Sequence, residues 1–334
     1  MTKRTRLGMT LTAAAVVVVA TVWAANYAFR PTLAAAPGVR ITPMVRCSTQ
    51  PTTDATTAPP STASPAPAKA DPKALTPGTD VTFLVASDLH LGADGTFNEN
   101  KTMVRDMNTM AGRRWPGALG GAVGKPRGLL VSGDITDAGT KPQWDMFTSL
   151  YGLNGTDAPL KMPVCECTGN HDRGWDVLRP EGQQFIAQQV TNRHGSLARS
   201  WDWDSVHMVC CDVYPSAEIV AWLKQDLAVV GTQRPVVIYF HYGLSGPYSD
   251  WWSSAEKDAF YQVIKSFNVV ALIHGHYHVS RQYKWKGLSV YEVGSPKHAW
   301  KRFLAVNITD TQLKVAAWNY VAGHWDWCDV KAIR

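Results

Sequence analysis

Apolar runs rich in β-branched residues punctuate the chain at 81–86, 128–132, 163–167, 235–240 and 269–273, each of a length that suits one buried strand. A run at 206–209 has the same character, and three more follow at 288–293, 303–308 and 313–318. Between them lie stretches with apolar residues at three- and four-residue spacing, at 101–110, 183–193, 217–227 and 255–267, which predict helices. In the third of these, Ile219, Trp222, Leu223 and Leu227 share one face, the mark of a helix packed on a core. Strand and helix alternate, which predicts an α/β layered domain. The last three runs crowd together without helical spacers and predict strands of an antiparallel closing sheet.

Each of the first five runs ends in a polar block: Asp88-Leu89-His90, Gly133-Asp134, Gly169-Asn170-His171-Asp172, His241, and Gly275-His276-Tyr277-His278. Taken singly, each block has an ordinary explanation. Asp-x-His arises by accident, Gly-Asp after an apolar run makes a turn, and Gly-His-x-His makes a loop. Their joint occurrence behind five strands is another matter, because the loops at strand ends are where α/β sheets place their sites. Two divalent ions about 3.5–4 Å apart need a shared carboxylate with imidazoles and neutral oxygens around it, and the five blocks supply that set.

The series resembles the calcineurin-like metallophosphoesterase superfamily, whose pattern D-x-H, GD, GNH[D/E], H, GHxH runs in this order; the likeness covers roughly residues 81–300. The resemblance implies an α/β fold, a four-layer α-β-β-α sandwich of two mixed β-sheets flanked by helices. It implies that Asp88, His90 and His278 bind one metal ion, that Asn170, His241 and His276 bind the second, and that Asp134 bridges them. A carboxylate can turn one oxygen to each cation whereas an imidazole nitrogen serves one, which agrees with that division. Asn170 adds a neutral oxygen and so preserves the Lewis acidity of the ions. His171 is implied to face the leaving group as general acid, and Asp172 is the natural carboxylate to fix its tautomer. Two cations acting on one water give a nucleophile near neutral pH. Mn, Fe or Zn suits such a mixed N/O site, and the ligands do not choose among them.

Flanking residues separate this chain from two subfamilies. Asp137 stands where purple acid phosphatases carry a ligand Tyr, so an Fe(III)–tyrosinate centre is not expected. Protein Ser/Thr phosphatases of the calcineurin type carry GDxVDRG and GNHE, where this chain has Gly133-Asp134-Ile135-Thr136-Asp137-Ala138-Gly139 and Gly169-Asn170-His171-Asp172. Asp94, Asp137 and Asp212 read as loop caps and His274 as a core histidine at a strand end. Tyr242 is placed to line the pocket.

Composition adds a setting. Of the net charge of +6, Lys3, Arg4, Arg6 and Arg30 belong to or adjoin an N-terminal leader; setting them aside leaves 29 basic against 27 acidic residues, with no footprint for nucleic acid. The leader, 1–30, has a basic start and an uncharged stretch to Phe29 with an apolar core at 13–22, which predicts export. Cleavage near Val22-Trp23-Ala24 is one reading and a retained signal anchor the other, since about 20 uncharged residues also span a bilayer. Either way the domain is expected to be extracytoplasmic, secreted, periplasmic or membrane-anchored. Residues 31–79 form a linker rich in Pro, Thr and Ala, expected to be a disordered tether, and the phosphoesterase domain is expected from 80 to 334.

Six cysteines, Cys47, Cys165, Cys167, Cys210, Cys211 and Cys328, suit an oxidising compartment, with a bridge between the 165/167 and 210/211 regions and buried free thiols as alternatives. Fourteen tryptophans are mostly packing, but the Trp251-Trp252 pair after His241 offers an apolar wall at the active-site mouth or a lipid contact. The sequence therefore predicts an exported hydrolase of a phosphomonoester or phosphodiester. Cyclic nucleotide phosphodiesterases, which share the five blocks, and phospholipid or inositol-phosphate phosphatases are the enzymatic alternatives. A degenerate scaffold used as a binding module is the non-enzymatic one, and it is disfavoured because no ligand is missing.

Overall fold

The computed structural model describes residues 78–173, 184–246 and 249–333. The leader at 1–30, all but the last residues of the linker at 31–79, and Cys47 lie outside the described residues. No described helix is long and apolar enough to cross a membrane.

Two six-stranded sheets form the domain. The first has the order β12-β11-β10-β1-β2-β3, built from β1 (Asp80–Ala86), β2 (Leu129–Ser132), β3 (Val164–Cys167), β10 (Arg302–Thr309), β11 (Gln312–Asn319) and β12 (His324–Ala332). The second has the order β4-β5-β6-β7-β9-β8, from β4 (Ala198–Trp203), β5 (Val206–Cys211), β6 (Val236–Tyr239), β7 (Val269–His274), β8 (Arg281–Trp285) and β9 (Leu288–Glu292). Helices α1 (Thr96–Met107), α2 (Lys141–Tyr151) and α3 (Phe185–His194) accompany the first sheet, and α4 (Ala217–Val230) and α5 (Ser254–Ile264) the second.

Strand alternation explains the layering. In β1, Val81, Phe83 and Val85 point into the core between the sheets, where they meet Val237 and Tyr239 of β6. Leu84 and Ala86 point the other way, onto Met103 of α1 and Phe147 of α2. In β6, Val236 and Ile238 likewise face outward to Leu223 of α4 and Phe260 of α5. Because both faces of the central strands are covered, they read as continuous apolar runs. The result is a four-layer α-β-β-α sandwich of two mixed sheets.

One strand lies elsewhere than expected. Of the three carboxyl-terminal runs, β10 and β11 pair antiparallel beside β1, but β9 joins the other sheet, parallel to β7 with Leu272 opposite Val290. The sharp β8–β9 hairpin delivers it there, because Lys286 and Gly287 both adopt positive φ. Of the described cysteines, Cys167, Cys210, Cys211 and Cys328 are free thiols; Cys165, Cys167 and Cys210 are buried between the sheets and Cys211 under the outer helices.

Candidate metal centre

The strand ends β1, β2, β3, β6 and β7 present the five polar blocks at one edge of the sandwich. There the backbone turns hard. Among the described residues eight non-glycine positions have positive φ, and five of them are Asp88, His90, Asp134, His276 and His278, all expected ligands. Asp and His tolerate this region better than other L-residues, yet it still costs on the order of 1 kcal/mol each, and such strain collects where function over-determines geometry.

Glycines make room for these turns. A Cβ on Gly133 would strike the His241 ring, one on Gly169 the Asp134 carboxylate, and one on Gly275 the Ser87 and Asp88 side chains. The glycines of the motif thus let neighbouring loops, in two of the three cases from opposite sheets, close on each other's functional groups.

Two donor sets result, and they share one residue. Asp88, His90, Asp134 and His278 offer ligand atoms within 4.8 Å of one another, as do Asp134, His241 and His276. Asn170 joins the second set, its Oδ1 lying 3.0 Å from His241 Nε2. The structure thus brings all seven expected ligands together, with Asp134 common to both sets.

The chemistry of these donors fits a pair of cations. Asp88 and Asp134 are 0 % and 1 % exposed, yet among the described residues neither pairs with a lysine or arginine. Two buried carboxylates without fixed cations are costly unless positive charge is supplied. The histidines point the same way. His241 Nδ1 lies 2.9 Å from the Ser132 carbonyl, an acceptor only, so Nδ1 carries the proton. Its Nε2 then faces two more oxygens, Asn170 Oδ1 at 3.0 Å and Asp134 Oδ2 at 3.3 Å. Without a metal the ring must protonate twice; burial opposes this, but Asp134 prevails and pushes its pKa to about 9. A cation in place of that proton satisfies the same three groups. His90 and His278 show the same convergence, their Nε2 atoms 2.9 Å apart.

Around the ligands, the hydrogen bonds correct one expectation. Asp172 does not touch His171. It is fully buried and accepts from the backbone N–H of Ile135, Thr136 and Gly169 and from the Thr136 hydroxyl, so it ties the β2 loop to the β3 loop. Burial and the nearby Asp134 raise its carboxyl to about 6. The sharp turn of Gly169-Asn170-His171-Asp172 folds its carboxylate back under its own loop, which puts it out of reach of the ring. The group that meets His171 Nδ1 is the backbone carbonyl of Asp137, at 2.7 Å, while the His171 N–H donates to Asp134 Oδ1 at 2.9 Å.

Asp137 is therefore more than a loop cap. Its side chain accepts from His90 Nδ1 at 3.0 Å and from Lys297 Nζ at 2.7 Å, and those bonds hold its carboxyl well below the usual range against the opposing effect of burial. His90, Asp137 and His171 also cluster within ligand distance, a contact these hydrogen bonds explain. Asp212 does cap a loop, accepting from Thr168 and pairing with Arg173. His274 is a core histidine, bonded to the Gly275 carbonyl and the Tyr283 hydroxyl, and burial lowers its pKa to about 4.

The tryptophan pair divides. Trp252 is 2 % exposed and donates to the Gly243 carbonyl, a packing role. Trp251 lies with its ring 4.3 Å from His276 and 5.1 Å from Tyr242, whose own ring is 5.1 Å from His276. The second donor set thus has an aromatic flank.

Sequence reasoning missed the loop that follows β9. Ser295 Oγ donates to the Asp88 carbonyl at 2.7 Å, Lys297 reaches Asp137, and the His298 ring lies 4.7 Å from that of His278. The signal was present, for Gly294-Ser295 also ends a buried apolar run.

Comparison with known proteins gives the same reading. Residues 81–280 match the family model of the calcineurin-like phosphoesterases. No curated protein matches the chain significantly in sequence. Among solved structures, a purple acid phosphatase from yellow lupin (Lupinus luteus) seeds superposes with a TM-score of 0.55 at 15% identity, over 77% of this chain and 55% of that one. This chain thus spans about half the length of the lupin protein. A dimetal phosphatase from Danio rerio gives 0.51 at 12% identity, over 71% and 95% of the two chains. GAP50, the anchor in the inner membrane complex of Plasmodium, gives 0.55 at 12%, over 76% and 89%. At these identities the likenesses establish the fold.

Proposed function

Since this chain belongs to the calcineurin-like phosphoesterase family, we propose that it is an exported, metal-dependent phosphoester hydrolase acting on a phosphomonoester or phosphodiester outside the cytoplasm. The observation that carries the chemistry is the sharing of Asp134 between two donor sets. Asp88, His90 and His278 would hold one divalent ion, Asn170, His241 and His276 the other, with Asp134 between them. When bound, such a pair supplies Lewis acidity for the phosphoryl oxygens and a nucleophilic water near neutral pH. Mn, Fe and Zn all suit these ligands.

The chain's own groups do the rest. Asp137, through its carboxylate, turns His90 so that Nε2 faces the site, and through its carbonyl it holds Nδ1 of His171. Nε2 of His171 is then the atom directed to substrate, and when protonated it donates to the departing alkoxide. The Asp134 oxygen that accepts from the His171 backbone N–H keeps donor and bridge in fixed relation. Asp172 acts by joining the two loops that carry Asp134 and His171.

Export rests on the basic start and apolar core of the leader. The aromatic flank at Trp251 favours cyclic nucleotides as a second substrate reading, because a base or ring stacks on such a surface. Purified protein loaded with Mn²⁺, Fe²⁺ or Zn²⁺ should be assayed on p-nitrophenyl phosphate, bis-p-nitrophenyl phosphate and cyclic AMP. About two metal equivalents with turnover of at least one substrate is expected. Absence of hydrolysis with every metal refutes the proposal, and preference for cyclic AMP selects the second reading.

A further inference from the structure

The loop from Ser295 to Lys301 is built onto the site. Ser295 anchors it to the Asp88 carbonyl, and its own hydroxyl accepts from the Lys297 N–H at 3.0 Å. The Lys297 ammonium bonds Asp137, and Lys301 pairs with Glu99 at 3.3 Å. Ser295 N–H donates to the Trp300 carbonyl at 3.0 Å, which closes the loop on itself, and a side chain at Gly294 would collide with that carbonyl. Three anchors to the rest of the domain and two internal hydrogen bonds on a short loop are more than a solvent-facing turn requires.

What they fix in place is His298. Its ring lies 4.7 Å from the His278 ring with 32° between the planes, yet the residue is exposed. Among the described residues its ring nitrogens make no hydrogen bond. One side of the ring is thus spent on a ligand histidine, and the residue stays open to solvent beside the first donor set. The site is asymmetric around this residue. His171 packs against His90 at 4.5 Å and His298 against His278 at 4.7 Å, so both imidazoles border the first donor set. Trp251 and Tyr242 border the second through His276.

An alcohol leaving towards the proton donor His171 would sit beside the first donor set, which His298 also borders. We propose that His298 is a specificity-determining residue that hydrogen-bonds a hydroxyl or other polar group on the leaving alcohol, so that the enzyme selects esters of polar, hydroxylated alcohols. A neutral imidazole offers one donor and one acceptor, which matches a hydroxyl. The inference rests on the phosphoesterase reading of the site.

The test compares glycerol 3-phosphate with propyl phosphate, two alkyl esters that differ in their hydroxyls, or their methyl diesters if the wild type proves a diesterase. The wild type should favour the glycerol ester by about tenfold in kcat/KM, the worth of one net hydrogen bond. His298→Ala should bring the ratio close to one with bound metal unchanged, and His298→Gln should restore part of it. Calorimetry supplies a readout independent of turnover: in the slow His171→Ala background loaded with Mn²⁺, glycerol 3-phosphate should bind more tightly than propyl phosphate, and adding His298→Ala should remove the difference. A wild type with no preference, a His298→Ala enzyme that retains it, or equal loss on both esters together with loss of metal each overturns the inference. A wild type inactive on every ester refutes the phosphoesterase reading instead.

Discussion

Replacing Asp137 by alanine should weaken one proposed ion and spare the other. The Asp137 side chain touches His90 at 3.0 Å and Lys297 at 2.7 Å and reaches no other expected ligand, whereas the second donor set is held by Ser132 and Asn170 through His241. A carboxylate that orients a ligand histidine is worth about 10–100-fold in metal affinity, or roughly 1.4–2.7 kcal/mol. The Asp137→Ala variant also leaves Lys297 without its partner, which adds positive charge beside the first set and acts in the same direction. Asp137→Asn keeps an oxygen for His90 and loses only the charge, so its loss should stay within about tenfold. Both variants retain the Asp137 carbonyl that holds His171. At saturating metal, therefore, kcat should fall by less than about threefold, because the proton donor remains aimed. Titration of Mn²⁺ against a chelating dye, followed by turnover at high Mn²⁺, separates the two effects. Unchanged affinity in the alanine variant would falsify the positioning argument, and so would a collapse of kcat that metal cannot rescue.

Three further outcomes follow from the same geometry. Asp134→Asn should lose both ions and all turnover, while His171→Ala should keep both ions and lose about 10²–10⁴ in rate, most for poor leaving groups; elemental analysis beside kinetics checks this, and equal metal loss in both variants would refute the division of roles. Gly169→Ala pushes a methyl into the Asp134 carboxylate at a position whose φ is ordinary, so metal binding and activity should fail while the fold loses only about 1–3 kcal/mol; a fully active variant would contradict it. Glu166 gives the pH dependence. Burial raises its carboxyl, but His194 and Arg193 outweigh that and lower it from 4.5 to about 2. A depressed carboxyl contributes stability above its unfolded value and loses it as pH falls through the folded one, so roughly 3 kcal/mol should disappear between pH 4.5 and 2. Urea midpoints should show this acid limb in the wild type and a flatter one in Glu166→Gln; parallel curves would show that the cluster does not set it.

What the chain disclosed and what it hid follow from burial. Strands covered on both faces stand out as apolar runs: β1, β2, β5, β6 and β7 inside their sheets, and β3, an edge strand that is nonetheless fully buried. β4, β8 and β12 do not, and all three are sheet edges, where residues such as Asp202, Lys284 and Asp326 interrupt the pattern. Helix α2 is not among the predicted helices although Trp144, Phe147, Leu150 and Tyr151 recur at helical spacing; Pro142 stands in its first turn, where proline is tolerated. The ligand set was legible because metal chemistry demands particular residue types at strand ends. The surrounding groups were not, since a backbone carbonyl such as that of Asp137 has no letter of its own. Trp251 and Trp252 are adjacent and identical in sequence, and only packing separates the wall of the site from the core.

The order of strands in the first sheet has a consequence for how the protein is made. β1 lies in the middle of that sheet with β10 on one side, so Asp80 waits for Thr309 before its edge is covered. The second sheet, by contrast, is drawn wholly from Ala198 to Glu292 and is complete while the carboxyl-terminal hairpin is still being synthesised. An emerging chain therefore carries a finished half and an unfinished one, with an apolar strand edge open to passing partners. A chain that stops short of Arg302 would contain every proposed ligand and still lack three of the six strands that hold Asp88 and Asp134 in place. Truncation before Arg302 is therefore expected to remove the support of the site while leaving every proposed ligand in the chain.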